Sequence, residues 1–378
     1  MSTTSLLSGS SVPRGLPWYV RSAARTWTCA PPPADVRDFH AGLPGYAPTA
    51  LTELPSLASE LEVGRVFVKD ESSRLGLPAF KALGASWAIH RILERRTADD
   101  DPVLLITATD GNHGRAVARM ARLFGQRAQV FVPRGVHPAA VTAIEHEGAD
   151  VVLVPGPYDE AVRRAAGAAR RGSDSVLVQD TAWTGYERIP GWIVEGYSTL
   201  FAEIDEQLGA LDAEAPGLVV VPAGVGSLAQ AAVAHYRGRR NGAAPAALMS
   251  VEPETAACVL ASLGRREPVS VPTGATTMAG LNCGTVSSLA WPFLREGLDA
   301  AVAVTDADSA GAARDLAAAG VSSGPCGAAS LAGARAALTG DGADVRRAAL
   351  GVGPASVLVL LSTEGTAANP HAEERLGG

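Results

Sequence analysis

Strand-like apolar runs and helix-like segments alternate over residues 103–180, and this alternation constrains the fold more than any other feature of the sequence. Four strand-like runs, at 103–108, 129–133, 151–155 and 175–180, are separated by amphipathic stretches. Continuous apolar runs are typical of parallel strands that helices cover on both faces. Short connections between such strands favour right-handed crossovers. The pattern therefore predicts an α/β protein built on open, mostly parallel sheets.

The rest of the chain extends this pattern. Residues 1–50, rich in Ser, Pro, Arg and Ala, predict an irregular arm that wraps a larger body. No repeat or low-complexity linker divides the chain, and we predict two three-layer α/β domains. The other predicted elements are a short helix at 51–65, a strand, glycine loop and helix at 218–236, a strand at 247–256, a strand and helix at 301–318 with Asp306 as N-cap, and a buried strand at 356–366.

Composition excludes several function classes. The 378 residues are 47% hydrophobic and 19% charged, which is typical of a globular protein. A net charge of -7 without any Lys/Arg run argues against a nucleic-acid partner. No run of about 18 apolar residues predicts a membrane span, and the N-terminus does not resemble a signal peptide, so we expect a cytoplasmic protein without a membrane partner. Four widely spaced cysteines match no zinc pattern, and we predict no metal site.

The first chemically suggestive stretch is 67–87, with Lys81 at its centre. The sequence predicts a strand end at 66–68, a polar loop at 69–78 and then a helix that begins just after Pro78. Because the neighbours of Lys81 are apolar or small, its amine should lose hydration, which would lower its pKa and free it for Schiff-base chemistry. The alternative is an ordinary helix lysine that faces solvent.

A glycine loop, PAGVGSLAQA at 222–231, lies between an apolar strand and an Ala-rich helix. The backbone N–H groups from Gly224 to Leu228, the Ser227 hydroxyl and the helix N-terminus would together form an anion cradle. The loop matches neither the Walker pattern nor the dinucleotide pattern, since no Lys follows and Ala229 occupies the third glycine position. A single phosphate is the predicted ligand. A tight strand-to-helix turn without a ligand is the alternative.

Three polar residues, Asp110, Asn112 and His113, follow the strand at 103–108. The carboxyl ends of parallel strands meet at one edge of a sheet, so we expect this loop and the loop at 180–188 to share a cleft. Asn112 is neutral and would suit a phenolate oxygen. Asp110 could instead cap the helix that follows, and His113 could be a structural histidine.

A reactive lysine, a phosphate cradle and an Asn-bearing loop together suggest pyridoxal 5′-phosphate. At this point the sequence resembles the fold type II family of pyridoxal-phosphate enzymes, whose architecture is tryptophan synthase β-like, and within it the diaminopropionate ammonia-lyase branch. The segments that carry the resemblance are KDESSRLGLPAFKALGAS (69–86), TATDGNHGRAVA (107–118), VQDTAWTGYERIPGWIVEGY (178–197), PAGVGSLA (222–229), VEPETAAC (251–258), TTMAGLNCG (276–284) and LSTEGT (361–366).

The resemblance implies roles for individual residues. Lys81 matches the Schiff-base lysine, Asn112 matches the residue that binds the 3′-oxygen of the cofactor, and Ser362 matches the hydroxyl that faces the pyridine nitrogen. The matching phosphate loop consists of Gly224, Val225, Gly226, Ser227 and Leu228. The resemblance further implies a large cofactor-binding domain, residues 1–84 and 190–378, and a small domain, residues 85–189, that closes over the active site. It also implies a homodimer.

The expected reaction is α,β-elimination of 2,3-diaminopropionate, in its L and possibly its D form, to pyruvate and ammonia. Lys81 would remove the α-proton of the L-substrate, and Asp110 matches the base that serves the D-enantiomer. Asp110 and Asp180 suit a substrate that carries a cationic β-ammonium group, and Thr109 is a further candidate for substrate binding. For Asp180, capping of the 181–188 turn is the alternative role.

Other functions stay open at the level of sequence. The scaffold is shared with serine and threonine dehydratases and with other β-eliminating or β-replacing enzymes that act on related amino acids. Outside these enzymes, a regulatory protein on the same scaffold or a nucleotide-binding α/β protein is possible. Cys258 and Cys283 both lie in resembling segments and could form a disulfide, although we expect free thiols in a reducing cytoplasm.

Overall fold

The computed structural model describes residues 17–97, 101–109, 111–172, 174–238 and 245–368. Its strands are β1 Trp18–Val20, β2 Leu51–Glu53, β3 Arg65–Asp70, β4 Leu104–Ala108, β5 Arg127–Pro133, β6 Asp150–Val154, β7 Ser175–Leu177, β8 Leu218–Pro222, β9 Ala247–Pro253, β10 Ala300–Val304 and β11 Val357–Ser362. Its α-helices are α1 Asp35–Ala41, α2 Pro55–Glu60, α3 Lys81–Leu93, α4 Asn112–Leu123, α5 Pro138–His146, α6 Tyr158–Arg171, α7 Arg188–Gly196, α8 Ser198–Ala210, α9 Ser227–Arg237, α10 Cys258–Arg265, α11 Trp291–Gly297, α12 Asp306–Ala318, α13 Pro325–Leu338 and α14 Ala343–Leu350.

The larger of two sheets has seven strands in the order β1-β10-β9-β8-β11-β3-β2. Its five inner strands are parallel, and β1 and β2 pair antiparallel at the two edges. Side chains of β11 alternate between two apolar clusters, with Val359 and Leu361 on one face and Leu358 and Leu360 on the other. Because both faces are buried, the strand reads as a continuous apolar run.

The smaller sheet is entirely parallel, in the order β6-β5-β4-β7. Its strands are those predicted from the alternation in residues 103–180. On one face Ile106 packs with Ala161 and Ala165 of α6, and on the other Leu105 packs with Met120 of α4. The predicted α/β class with open, mostly parallel sheets is confirmed.

Three local predictions were wrong. The predicted helix at 51–65 is an edge strand followed by a shorter helix, because Leu51–Glu53 pairs with β3 and Pro55 then starts α2. Thr305, not Asp306, is the N-cap of α12, since its hydroxyl accepts a hydrogen bond from Asp308 N in a capping box. The described part of the arm is less irregular than predicted, because Trp18–Val20 forms strand β1 against β10.

Within the described ranges given above, no helix is both long and apolar enough to cross a bilayer.

Candidate active site

Lys81 is the first residue of α3, and backbone hydrogen bonds fix the segment just before it to the end of β11. Phe80 N donates to Thr363 O (3.2 Å), and Gly365 N donates to Pro78 O (2.9 Å). An isolated β-bridge joins Ala79 to Glu364 between them. The carboxyl end of the central strand β11 therefore sets the position from which the lysine side chain starts.

The Lys81 amine forms an ion pair with Asp180, from the loop that follows β7. Nζ donates to Asp180 Oδ2 at 2.7 Å, and the two side chains are 20% and 13% exposed. Burial alone would lower the pKa of Lys81, but the adjacent carboxylate raises it above its usual value. Despite burial, Lys81 holds the pKa of Asp180 below its usual range. The sequence hypothesis of a lowered lysine pKa was wrong, because it did not include the carboxylate.

His113 and Asp180 show that the loops after β4 and β7 share one cleft, as predicted. His113 Nε2 lies 2.8 Å from Val178 O, so this nitrogen carries the hydrogen, and Nδ1 lies 3.9 Å from Asp180 Oδ2. Burial lowers the pKa of His113 and favours its neutral form. Asp110, the predicted base from the same loop, lies outside the described residues.

Asn112 is the first residue of α4, and its side chain faces the end of β11. Its Nδ2 donates to Glu364 Oε2 at 2.7 Å, while Glu364 Oε1 accepts from Cys326 N at 3.2 Å. Burial raises the pKa of Glu364. The sequence could not rank Glu364 against Glu252. The structure places Glu364 in this cleft, and Glu252 accepts hydrogen bonds from Val259 N and Leu260 N of α10.

The glycine loop connects β8 to α9, as predicted. Gly226 has φ +95°, and a Cβ atom there would lie 2.6 Å from Leu294 Cδ1, so a larger residue would be strained. Ser227 begins α9, and its hydroxyl donates to Asp180 O at 2.9 Å. The first N–H groups of a helix have no acceptor within it and attract anions. The loop therefore offers an anion cradle beside the residue that pairs with Lys81.

Ser362 is the last residue of β11, and Thr109 directly follows β4. Ser362 is fully buried, and its hydroxyl donates to Ser323 Oγ at 2.8 Å. The hydroxyl of Thr109 accepts a hydrogen bond from Gly111 N at 3.0 Å and shapes the turn into α4. Ser362 is thus a neutral group at the strand end that carries Glu364.

The groups that fit pyridoxal 5′-phosphate are connected through short contacts. Lys81 supplies a primary amine, the 224–228 loop supplies N–H donors for a phosphate, and Ser362 supplies a neutral hydroxyl. A Cβ atom added at Gly224 would lie 3.0 Å from both Cys283 Sγ and Gly280 O, so only glycine keeps this part of the loop open. The donor set fits the cofactor. In the described residues, no cluster of His, Cys, Asp and Glu is suited to a metal ion.

Comparison with known proteins agrees with this chemistry. Residues 43–349 match the family model described as pyridoxal-phosphate dependent enzyme. The chain belongs to this family. Pyridoxal phosphate as cofactor and the fold type II architecture are thereby confirmed.

The relatives at 37–38% identity share one name. Diaminopropionate ammonia-lyase of Salmonella typhimurium is 37% identical over 294 residues, which are 72% of this chain and 72% of the relative. A crystal structure of the Escherichia coli diaminopropionate ammonia-lyase in complex with an aminoacrylate-PLP azomethine reaction intermediate has a TM-score of 0.83 at 30% identity, over 95% of this chain and 97% of that one. Its complex with D-serine has a TM-score of 0.84 at 30% identity, with the same coverage.

Several residues of this pyridoxal-phosphate enzyme site were not predicted from sequence. Gln179 holds the edge of the small sheet, since its Oε1 accepts from Ala108 N at 3.0 Å. Tyr197 is fully buried beside Lys81. Both lie in segments that carried the family resemblance, but nothing in the sequence pattern indicates what their side chains contact. Cys258 and Cys283 are not joined by a disulfide in this structure.

Proposed function

We propose that this pyridoxal-phosphate enzyme catalyses α,β-elimination of 2,3-diaminopropionate to pyruvate and ammonia. The observation that carries the proposal is the 2.7 Å contact between Lys81 and Asp180 beside the glycine loop. It places an anionic carboxylate next to the amine that the resemblance assigns to the α-proton. The names of the similar relatives support the same substrate.

The proposed roles follow from the chemistry of each group. When bound, pyridoxal phosphate supplies an electron sink for the negative charge that develops at the α-carbon. Lys81 would hold the cofactor and take the α-proton of the L-substrate. Asn112 would bind the 3′-oxygen, the loop from Gly224 to Leu228 would bind the phosphate, and Ser362 would face the ring nitrogen.

Asp180 is the proposed site for the β-ammonium group of the substrate. A carboxylate with a lowered pKa stays ionised at neutral pH and forms a charge-assisted hydrogen bond with a cationic amine. Serine and threonine carry a neutral hydroxyl at the same carbon, so they would gain less from this carboxylate. Thr109, at the end of β4, is the proposed neighbouring contact.

Asp110 is the proposed base for the D-enantiomer, whose α-proton points away from Lys81. We predict that Asp110→Asn lowers turnover of D-diaminopropionate about 100-fold or more and changes L-turnover by less than about threefold, because the general base is removed for one enantiomer only. Asp180→Asn is the matched control and should impair both enantiomers. Pyruvate release measures all four activities. Equal loss for both enantiomers in Asp110→Asn would contradict the two-base assignment.

The main competing function is a serine or threonine dehydratase, or another β-eliminating or β-replacing enzyme on a related amino acid. Steady-state kinetics of pyruvate or 2-oxobutyrate formation from diaminopropionate, serine and threonine separates these functions. We expect the highest kcat/KM for diaminopropionate. A higher value for serine or threonine would favour the dehydratase.

We further propose that residues 85–189 form a small domain that closes over the site held by residues 1–84 and 190–378. The separate four-stranded sheet, formed between residues 104 and 177, supports this division. A cytoplasmic homodimer is proposed on the resemblance, and sedimentation analysis of the purified protein would test the oligomeric state.

A further inference from the structure

Tyr197 is a buried titratable residue to which the proposed mechanism assigns no role. It follows α7 and is fully buried, with its ring 4.8 Å from that of Phe80, the residue before Lys81. A Cβ atom added at Gly84, one turn into α3, would lie 2.6 Å from Tyr197 Cε1. The ring thus fills the space beneath the first turn of the lysine helix, and glycine at position 84 makes that space.

The Tyr197 hydroxyl and the Lys81 ammonium lie close together, and both have unused hydrogen-bonding capacity. The Tyr197 hydroxyl is buried, and within the described residues no partner meets it at full hydrogen-bonding geometry. An ammonium group has three N–H donors, and Lys81 uses one of them, toward Asp180. Burial raises the pKa of Tyr197, and Lys81 lowers it both through its charge and as a near hydrogen-bond partner of the phenol oxygen, so the two groups lie close together. Buried hydroxyls without a well-formed hydrogen bond are rare, so one beside an ammonium with unused donors points to a contact between the two.

Lys81 needs a second hydrogen-bond acceptor because Asp180 is also the proposed partner of the substrate amine. Its Oδ2 accepts from Lys81 at 2.7 Å, and its Oδ1 faces Gln179 Nε2 at 3.4 Å. A cationic substrate amine that binds Asp180 competes with Lys81 for the same carboxylate. Lys81 then requires another partner within reach of the same position.

We propose that Tyr197 is a positioning residue for Lys81, whose hydroxyl accepts a hydrogen bond from Nζ and holds the amine in the site when Asp180 turns to the substrate. No proton leaves the phenol in this role. The inference deepens the proposed function, on which its consequence for turnover depends.

Other charged or titratable groups surround Lys81. Asp180 lies opposite on the loop after β7, His113 comes from α4, Cys283 from the loop before α11, and Glu364 from the end of β11. None of these occupies the position of Tyr197 between α3 and α7. Removal of the hydroxyl therefore changes one neighbour of the lysine and leaves the others in place.

The decisive variant is Tyr197→Phe, with Tyr236→Phe as the matched control, since Tyr236 is also buried but packs against Phe201 and His235. The measured quantity is the first-order rate at which saturating pyridoxal phosphate re-attaches to Lys81 in full-length protein stripped of cofactor, followed by visible absorbance between pH 7 and 9. A hydroxyl that accepts from the ammonium keeps the amine protonated. Its removal should therefore speed re-attachment about threefold or more at each pH, whereas the control should match the wild type.

The same two variants are then assayed for turnover of L-diaminopropionate. We expect kcat of Tyr197→Phe to fall about tenfold with KM within about twofold. A re-attachment rate in Tyr197→Phe that equals or falls below the wild-type rate would overturn the positioning role, since loss of packing alone can only slow the reaction. If wild-type protein releases no pyruvate from diaminopropionate, the proposed function fails, while the re-attachment rate still decides the role of Tyr197.

Discussion

Lys69 and Lys81, twelve positions apart, have opposite surroundings. Lys69, in β3, donates to Thr49 O (2.8 Å), Glu203 Oε2 (2.7 Å) and Gln207 Oε1 (2.8 Å), and its side chain is completely buried. Lys81 donates to Asp180 among the described residues, and its side chain is 20% exposed. The first lysine has an acceptor for each N–H, and the second keeps donors free. The difference separates a structural cation from a reactive one.

The pKa shifts of the two lysines sharpen the contrast. Burial lowers the pKa of Lys69 more than Glu71 and Glu203 raise it, because Arg74 interacts with both carboxylates and adds positive charge. At Lys81 the raising effect of Asp180 prevails. A lysine whose pKa is raised by a carboxylate can still act in catalysis once substrate or cofactor displaces that carboxylate.

The largest expected effect is at Lys81. We predict that Lys81→Ala lowers kcat roughly a thousandfold or more, because the amine is the proposed link to the cofactor and the proposed base. The free energy of unfolding should fall by about 1–3 kcal/mol, less than for a fully buried pair, since the side chains of Lys81 and Asp180 are 20% and 13% exposed. Pyruvate assays, the visible absorbance of the bound cofactor and urea unfolding measure the three quantities. Retention of the absorbance band would contradict the assignment.

Replacement of Lys69 should have the opposite outcome, a large loss of stability with little change in kcat. Lys69→Met leaves buried carboxylates with less compensating charge, and we expect the free energy of unfolding to fall by about 3–5 kcal/mol. The kcat per folded molecule should stay within about twofold of the wild type. Arg163→Met, which breaks an exposed pair with Glu160, serves as the control and should cost less than about 1 kcal/mol. Stability loss in Lys69→Met no greater than in the control would remove the distinction between the lysines.

A smaller loss in the free energy of unfolding is expected when the pH is lowered. Arg74 and Lys69 hold the pKa of Glu203 at about 2 against its burial, below its ordinary value of 4.5. Folding therefore favours the ionised form of Glu203, which adds on the order of 3 kcal/mol to the free energy of unfolding. This contribution is fully present above pH 4.5 and is lost as the pH falls toward 2. Glu203→Gln should be less stable at pH 7 and should show a flatter decline over this window. Parallel urea midpoints of the two proteins between pH 2 and 7 would contradict the assignment.

The cleft around Lys81 could be predicted from the sequence, whereas the surroundings of Lys69 could not. The cleft around Lys81 was predictable because the loops at 109–114 and 180–188 follow parallel strands, and the carboxyl ends of such strands meet at one edge. Lys69 was assigned to a polar loop, since its own sequence does not reveal that Glu203, 134 positions later, neutralises it inside the protein. Burial of a charge depends on a distant partner, which the periodicity of apolar residues does not encode.

Within the site, the sequence predicts the positions of loops but not the contacts between their side chains. The resemblance assigned Asn112 to the cofactor, but its hydrogen bond to Glu364 depends on how the end of β11 meets α4. Likewise, the segment IVEGY does not show that Tyr197 lies beneath Lys81. The sequence predicts which loops converge. Which atoms then touch depends on packing between elements far apart along the chain.

The position of β11 has a consequence for synthesis of the protein. Val357–Ser362 lies between β8 and β3, near the middle of the large sheet, although among the described strands it is the last to be made. A ribosome-bound chain shorter than about 360 residues would hold β3 and β8 without the strand that joins them, and the segment before Lys81 would lack its backbone partners at Thr363 and Gly365. Non-local pairing of this kind slows folding. The reactive amine therefore reaches its position only after residues 357–365 have been made.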